Sequence, residues 1–340
     1  MNISNIFSTA PEFIIDNISI QGYSHKIIDK ECQDNSLSWK GNNYAAIIVC
    51  DGHGGDKYIR SATGSSFACK VGKEKISEFM DKIGNDESKI KKNLERLEYS
   101  IVGAWRECVE TDYSKDPIDT DERFEKLEDS DKSALLKNTV KAYGSTFIAA
   151  VITKNYCFVI KLGDGNAVLF YSNGTSKMPE ELVDDDLQFN VTTSLCNSDA
   201  ALCFRHYFKM FSDDSKVTGI VLTSDGIINS YKTEEAYISF IENVYFAYGE
   251  DTVEIAKNEL LPVLDTLSEK GSGDDLSVSI ARSHITKEEK KAIKRKQEQE
   301  KIDFIRLEAE KKVHEAELTK DESKKAKAET EVQFQKDNQE

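Results

Sequence analysis

The chain has 340 residues, 39% of them apolar and 31% charged, with 18 glycines, 4 prolines and a formal net charge of −16. This length suggests one large domain or two smaller ones, and the composition excludes collagen-like, proline-rich and wholly disordered chains. No run of 18 apolar residues could span a membrane, and the start MNISNIFSTAPEF lacks the basic flank and apolar core of a secretory signal, so a soluble intracellular protein is expected.

Taken in chain order, stretches rich in β-branched and aromatic residues predict strands over residues 13–20, 44–50, 145–152, 156–162, 167–171, 217–223 and 276–281. Helices are expected over 56–71 and 89–109, and again over 233–245 and 252–269. Strands, then two helices, then several closely spaced strands suggest antiparallel sheets rather than βαβ repeats. Residues 107–132 carry 11 acids against 4 bases, with Pro117 inside, and read as a loop or insertion.

Residues 285–340 differ from the body. They contain no glycine or proline, and 30 of the 56 are charged. Their apolar positions, Ile293, Ile302, Ile305, Val313 and Leu318, hold no heptad, so a solvated, partly frayed helix is expected rather than a coiled coil. The expected division is a body of residues 1–284 and a tail of 285–340, with the tail a candidate for binding a protein partner.

The tail holds 15 acids and 15 bases, so the whole negative charge lies in the body, where 46 acids face 30 bases. So acidic a surface repels phosphate backbones and makes nucleic acid an unexpected partner. Most of these carboxylates read as solvated surface, and a minority are candidates to surround cations. The seven cysteines are an odd count with no C-x-x-C, which fits a reduced, cytosolic protein better than a disulfide framework or a Cys-rich zinc site.

The informative pattern is an apolar strand running into an aspartate. YAAIIVC leads to Asp51-Gly52, CFVIKL-Gly163 to Asp164-Gly165, and GIVLTS to Asp225-Gly226, while Gly273-Asp274-Asp275 opens LSVSIA. A single Asp-Gly is usually a turn. Four at strand ends suggest rigidly held carboxylates, and such carboxylates repel one another unless cations compensate. Oxygen ligands favour Mg²⁺ or Mn²⁺ over zinc. Two ions about 3.5–4 Å apart would suit phosphoester hydrolysis. No G-x-x-x-x-G-K-[ST] loop is present, so nucleotide binding has no motif behind it. His53, among glycines and two residues after Asp51, is a candidate general acid for an alcohol leaving group.

Asp51-Gly52-His53-Gly54-Gly55, Gly144-Ser145-Thr146, Gly163-Asp164, Ser224-Asp225-Gly226 and Asp274-Asp275 occur in an order that resembles the metal-dependent protein serine/threonine phosphatases of the protein phosphatase 2C class. The upstream Gly22-Tyr23-Ser24-His25 and Cys32-Gln33-Asp34 resemble its bacterial branch. The resemblance implies an α+β, four-layer αββα sandwich of two antiparallel sheets flanked by helices. It implies hydrolysis of phosphoserine and phosphothreonine in proteins by a metal-bridging hydroxide, with Mn²⁺ or Mg²⁺ as cofactor: two ions, and a weaker third.

By position, the resemblance makes Asp51 the bridging ligand and Gly52 a carbonyl ligand. Asp225 and Asp274 would ligate the second ion, Asp34 would hold metal-bound water, Asp164 would bind the further ion, and His53 would be the general acid. Where many eukaryotic members carry a phosphate-gripping arginine this chain has Asp29, with Lys26 and Lys30 the nearby bases. Gln33 replaces a frequent glutamate, and Gly165-Asn166 a frequent Ser-Arg. A phosphatase-like binding module without turnover and a phosphatase of small metabolites are the alternative readings.

Overall fold

The strand β3 (Tyr44–Cys50) is buried at all seven positions because its two faces meet two different cores. Ala45, Ile47 and Val49 point into one apolar cluster, while Ala46, Ile48 and Cys50 point into another. This is the period-2 alternation of a strand covered on both sides. Each fully buried aliphatic side chain of this kind contributes about 1.5–3 kcal/mol. The computed structural model describes residues 13–83, 86–183, 192–212, 216–250 and 252–284 of one unit, Met1–Ile285. In a second unit, Thr286–Glu340, it describes helical positions 291, 295, 299, 302 and 306. The remainder of the expected tail lies outside the described residues.

Within the first unit β3 belongs to a five-stranded sheet of order β2 (Asn35–Lys40), β3, β4 (Phe147–Thr153), β5 (Tyr156–Leu162) and β8 (Arg205–Met210). The other sheet runs β1 (Phe13–Ile20), β10 (Leu276–Ser283), β9 (Val217–Thr223), β6 (Asn166–Tyr171) and β7 (Ser176–Lys177). Every described pairing is antiparallel. The sheets stack face to face over a core that includes Ile47, Val49, Ala150, Leu169 and Leu222. The Ser279 hydroxyl of β10 donates across it to the carbonyl of Ile48, 2.8 Å away.

Helices close both outer faces, completing the expected four layers. On one side lie α2 (Ser61–Ile83) and α3 (Glu87–Lys115), after the short α1 (Tyr23–Ile27). Ile90, Leu94, Leu97, Ile101 and Trp105 repeat at helical spacing on α3 and are buried against the sheet. On the other side α7 (Glu234–Glu250) buries Tyr237, Ile241, Val244 and Tyr248, and α8 (Val253–Lys270) buries Leu260 and Leu264. The Thr252 side chain caps α8 by accepting the N–H of Ile255. Among the described residues no helix is long and apolar enough to cross a membrane.

Three sequence expectations need correction. Residues 107–132 are not mainly loop. The helix α3 continues to Lys115, and α4 (Glu122–Glu125) and α5 (Asp129–Lys137) follow. Asp121 caps α4, and Ile118, Phe124 and Leu135 are buried beneath the acidic surface. The helix expected at 56–71 starts only at Ser61, because the preceding glycines carry the chain around the end of the sheet. The edge strands β2 and β8 were missed, since NSLSWK and RHYFKM are largely polar and only partly buried.

Candidate metal centre

Strand register brings the singled-out aspartates to one end of the sandwich. Asn35 pairs with Cys50, so Asp34 and Asp51 follow at the ends of neighbouring strands. Phe147 pairs with Leu162, which places Asp164 at the same end, on the connection from one sheet to the other. In the second sheet Thr223 pairs with both Asn166 and Val278. Asp225, two residues beyond β9 and opening the short α6 (Asp225–Ile228), therefore joins Asp274, two residues before β10.

Close backbone packing holds these positions. Asp51 is fixed on both sides by Thr146, whose Oγ1 accepts the Asp51 N–H at 3.0 Å and whose own N–H donates to the Asp51 carbonyl at 2.8 Å. A Cβ on Gly52 would lie 2.6 Å from the Gln33 carbonyl oxygen, so the turn accepts no side chain there. Gly163 has φ +99°, a left-handed conformation that suits glycine, and it turns the chain into Asp164. The Asp164 Oδ2 accepts from the Thr192 hydroxyl at 2.6 Å, and Asp225 Oδ2 accepts from Asn229 Nδ2 at 2.9 Å.

The electrostatics show how tightly the carboxylates cluster. Burial, then the neighbouring Asp34, Asp225 and Asp164, push the Asp51 carboxyl well above its ordinary range. Asp34, 4% exposed, is raised by burial, against hydrogen bonds from Ser224 and Ser277, and further by Asp275 and Asp274. Asp225 is pushed up to about 6, first by burial and next by Asp164, while Asp51 hydrogen-bonds to it. Burial raises Asp274 as well. The buried Asp34 Oδ2 has no hydrogen-bond partner. An unsatisfied carboxylate oxygen among mutually repelling acids is the arrangement that a hard cation relieves. Among the described residues no three His, Cys, Asp or Glu side chains form a ready-made metal cage. Ions here would rest on single carboxylates from separate strand ends, completed by backbone oxygen and water.

His53 packs its ring 4.7 Å from that of Tyr58, and its backbone N–H donates to the Gly144 carbonyl at 3.1 Å. Burial lowers its pKa, with Asp164 pulling the other way. Of the two lysines flanking Asp29, Lys26 pairs with Asp265 at 2.8 Å on the surface. Lys30 instead lines the cleft beside the centre, donating from Nζ to the Gly54 carbonyl at 2.8 Å.

Two residues without a sequence-assigned role complete the frame. Asp275 stands beside Asp274 in a quoted motif, but only the fold shows what its carboxylate grips. Thr192 had no signal, being 28 positions from Asp164 in the chain.

A two-sheet sandwich flanked by helices, with aspartates gathered at one end, fits the class of metal-dependent phosphatases. The sequence profile of protein phosphatase 2C matches residues 21–265. The chain therefore belongs to the protein phosphatase 2C family and is a protein serine/threonine phosphatase, a phosphoric monoester hydrolase. Among curated proteins no relative matches it. Its fold is similar to that of a serine/threonine phosphatase from Staphylococcus aureus, at 14% identity and TM-score 0.51, over 81% of this chain and 96% of that one. It is also similar to PppA of Pseudomonas aeruginosa, at 14% identity and TM-score 0.51, over 81% and 99%. A C. elegans sex-determining protein shares the fold at 13% identity and TM-score 0.52, over 83% of this chain and 67% of its own.

Proposed function

We propose that this phosphatase removes phosphate from phosphoserine and phosphothreonine in proteins with the help of two Mn²⁺ or Mg²⁺ ions. The observation that carries the reading is the buried carboxylate cluster of Asp34, Asp51 and Asp225 with its unsatisfied Asp34 oxygen. When bound, a pair of hard dications supplies an activated water and positive charge for the phosphate oxygens.

The chain's own residues do the rest. Asp51 and the Gly52 carbonyl, with Asp225 and Asp274, hold the ions, and Asp34 orients water. Asp164, steadied by Thr192, holds a weaker third ion. His53 delivers a proton to the leaving serine or threonine oxygen. Burial lowers the pKa of the imidazole, which makes its protonated form the better proton donor. Lys30, already at the cleft margin, offers the phosphate a positive point charge, where Asp29 carries a negative one. The tail is proposed to serve recruitment or spacing.

The direct test is hydrolysis of an aryl phosphate and of a phosphothreonine peptide, with Mn²⁺ and with chelator. Metal-dependent turnover of both supports the proposal. No turnover of either by protein with metal demonstrably bound overturns it and leaves a phosphatase-like binding module.

A further inference from the structure

Beside the carboxylate centre lies an open cleft of about 950 Å³. One stretch of its lining is the loop after His53, with Gly54 and Asp56, and another is the α4–α5 segment, with Arg123, Glu128 and Asp131. A third is the loop after α1, where Asp29 adopts the left-handed conformation at φ +55°. That loop is pinned at Lys30, whose N–H donates to the His25 carbonyl and whose carbonyl accepts from Gln21 Nε2 at 2.6 Å.

The charges of this lining are not balanced. Arg123 is taken up by Glu31 at 2.7 Å and by Asp121 at 3.0 Å, Lys30 is turned to the Gly54 carbonyl, and Lys126 is the lining's remaining base, against four further acids. Asp29, Asp56, Glu128 and Asp131 form no ion pair among the described residues. Acidic side chains alone would mean only a solvated wall. A second feature points to a ligand. Gln33 is 5% exposed and lines the cleft, and its Nε2 is held by the His53 carbonyl and the Ser61 hydroxyl. Its Oε1 has no partner, and it lies 3.9 Å from the point that a Cβ on Gly54, itself a lining residue, would occupy, with Lys30 Nζ 4.0 Å from the same point. A buried acceptor without a donor, set among unpaired carboxylates, calls for an N–H-bearing, positively charged occupant.

We infer that this cleft docks the peptide that flanks the phosphorylated residue and selects flanks rich in lysine or arginine. A peptide N–H or a basic side chain would satisfy Gln33 Oε1, and basic side chains would meet Asp29, Asp56, Glu128 and Asp131. The body's net negative charge draws such peptides in and repels acidic ones. This inference rests on the phosphatase reading and names the substrate class for it.

The test compares two fluorescent phosphothreonine peptides, identical except for flanks of lysine and arginine or of glutamate. It uses full-length protein, kcat/KM in Mn²⁺, and anisotropy in chelator. The basic peptide should be favoured about tenfold in both readouts at low salt. The preference should fall toward one in about 0.5 M salt, and also in the double variant Glu128→Gln, Asp131→Asn. Asp56→Asn, from a different stretch of the lining, should reduce it in the same direction if the double variant folds poorly. Equal values for the two peptides with wild-type protein, or a preference untouched by these substitutions, would overturn the inference. If wild-type protein hydrolyses neither peptide nor an aryl phosphate, the phosphatase reading fails, and anisotropy still decides what the cleft prefers.

Discussion

Asp275 holds the backbone of Gln33: its Oδ2 accepts the Gln33 N–H at 2.6 Å across 242 residues of chain. Its other oxygen accepts the Gly22 N–H at 2.6 Å and meets His25 Nδ1 at 2.9 Å. One carboxylate thus fastens the loop that carries Lys30, Gln33 and Asp34 to the start of β10. Burial would raise this carboxyl, but His25 and the two backbone donors outweigh it and hold Asp275 below its ordinary value. The resulting stability is present above the unfolded-state pKa and is lost as pH falls through the folded one.

Asp275→Asn turns one acceptor into a donor facing a backbone N–H. It should cost about 1–3 kcal/mol of stability and weaken metal binding together with it. Thermal denaturation and metal titration check this. A variant with the wild-type melting temperature and metal affinity would show that the loop is held by something else.

Asp225→Asn and Asp274→Asn should each remove nearly all activity, because an amide is a poor ligand for a hard dication. Both should leave the metal-free fold intact, since burial and like charges strain these carboxylates. Activity within threefold of wild type would remove them from the metal-binding set.

His53→Ala should lower the rate on alkyl phosphates by about 10²–10⁴, and aryl phosphates, whose leaving groups need less protonation, should suffer less. Equal losses on both substrates would make His53 a residue that shapes the site, through its ring contact with Tyr58, rather than a proton donor.

Metal binding should release protons near pH 6. Asp225 has its pKa raised to about 6, so in metal-free protein its proton stabilises the fold at low pH, and that contribution is lost as pH rises through about 6. Ions compete with the same proton, so their affinity should climb over this window. Calorimetry in buffers of different ionisation enthalpy reads the release directly. Binding with no proton release at pH 6 would contradict the raised value.

Much of this was legible because the motif aspartates lie at the ends of strands whose apolar runs are unmistakable. YAAIIVC and VTGIVLT are buried on both faces, so their hydrophobicity alone marks them as strands. The edge strands β2 and β8 were not, since half-exposed polar strands carry no such run. Residues 107–132 misled because their charge faces outward, while the buried Phe124 and Leu135 are too sparse to show a period.

By itself the sequence determined which residues could carry charge chemistry, the order of the motifs and the apolar strands that end in them. These are local properties, set by side-chain type and by spacing along the chain. Only the tertiary structure decided that Asp275 is a clamp, that Thr192 steadies Asp164, and that Lys30 rather than Lys26 faces the cleft. The physical reason is range. These contacts join parts of the chain that antiparallel pairing and sheet stacking bring together, and the energy of a hydrogen bond or a buried charge depends on neighbours that no local pattern specifies.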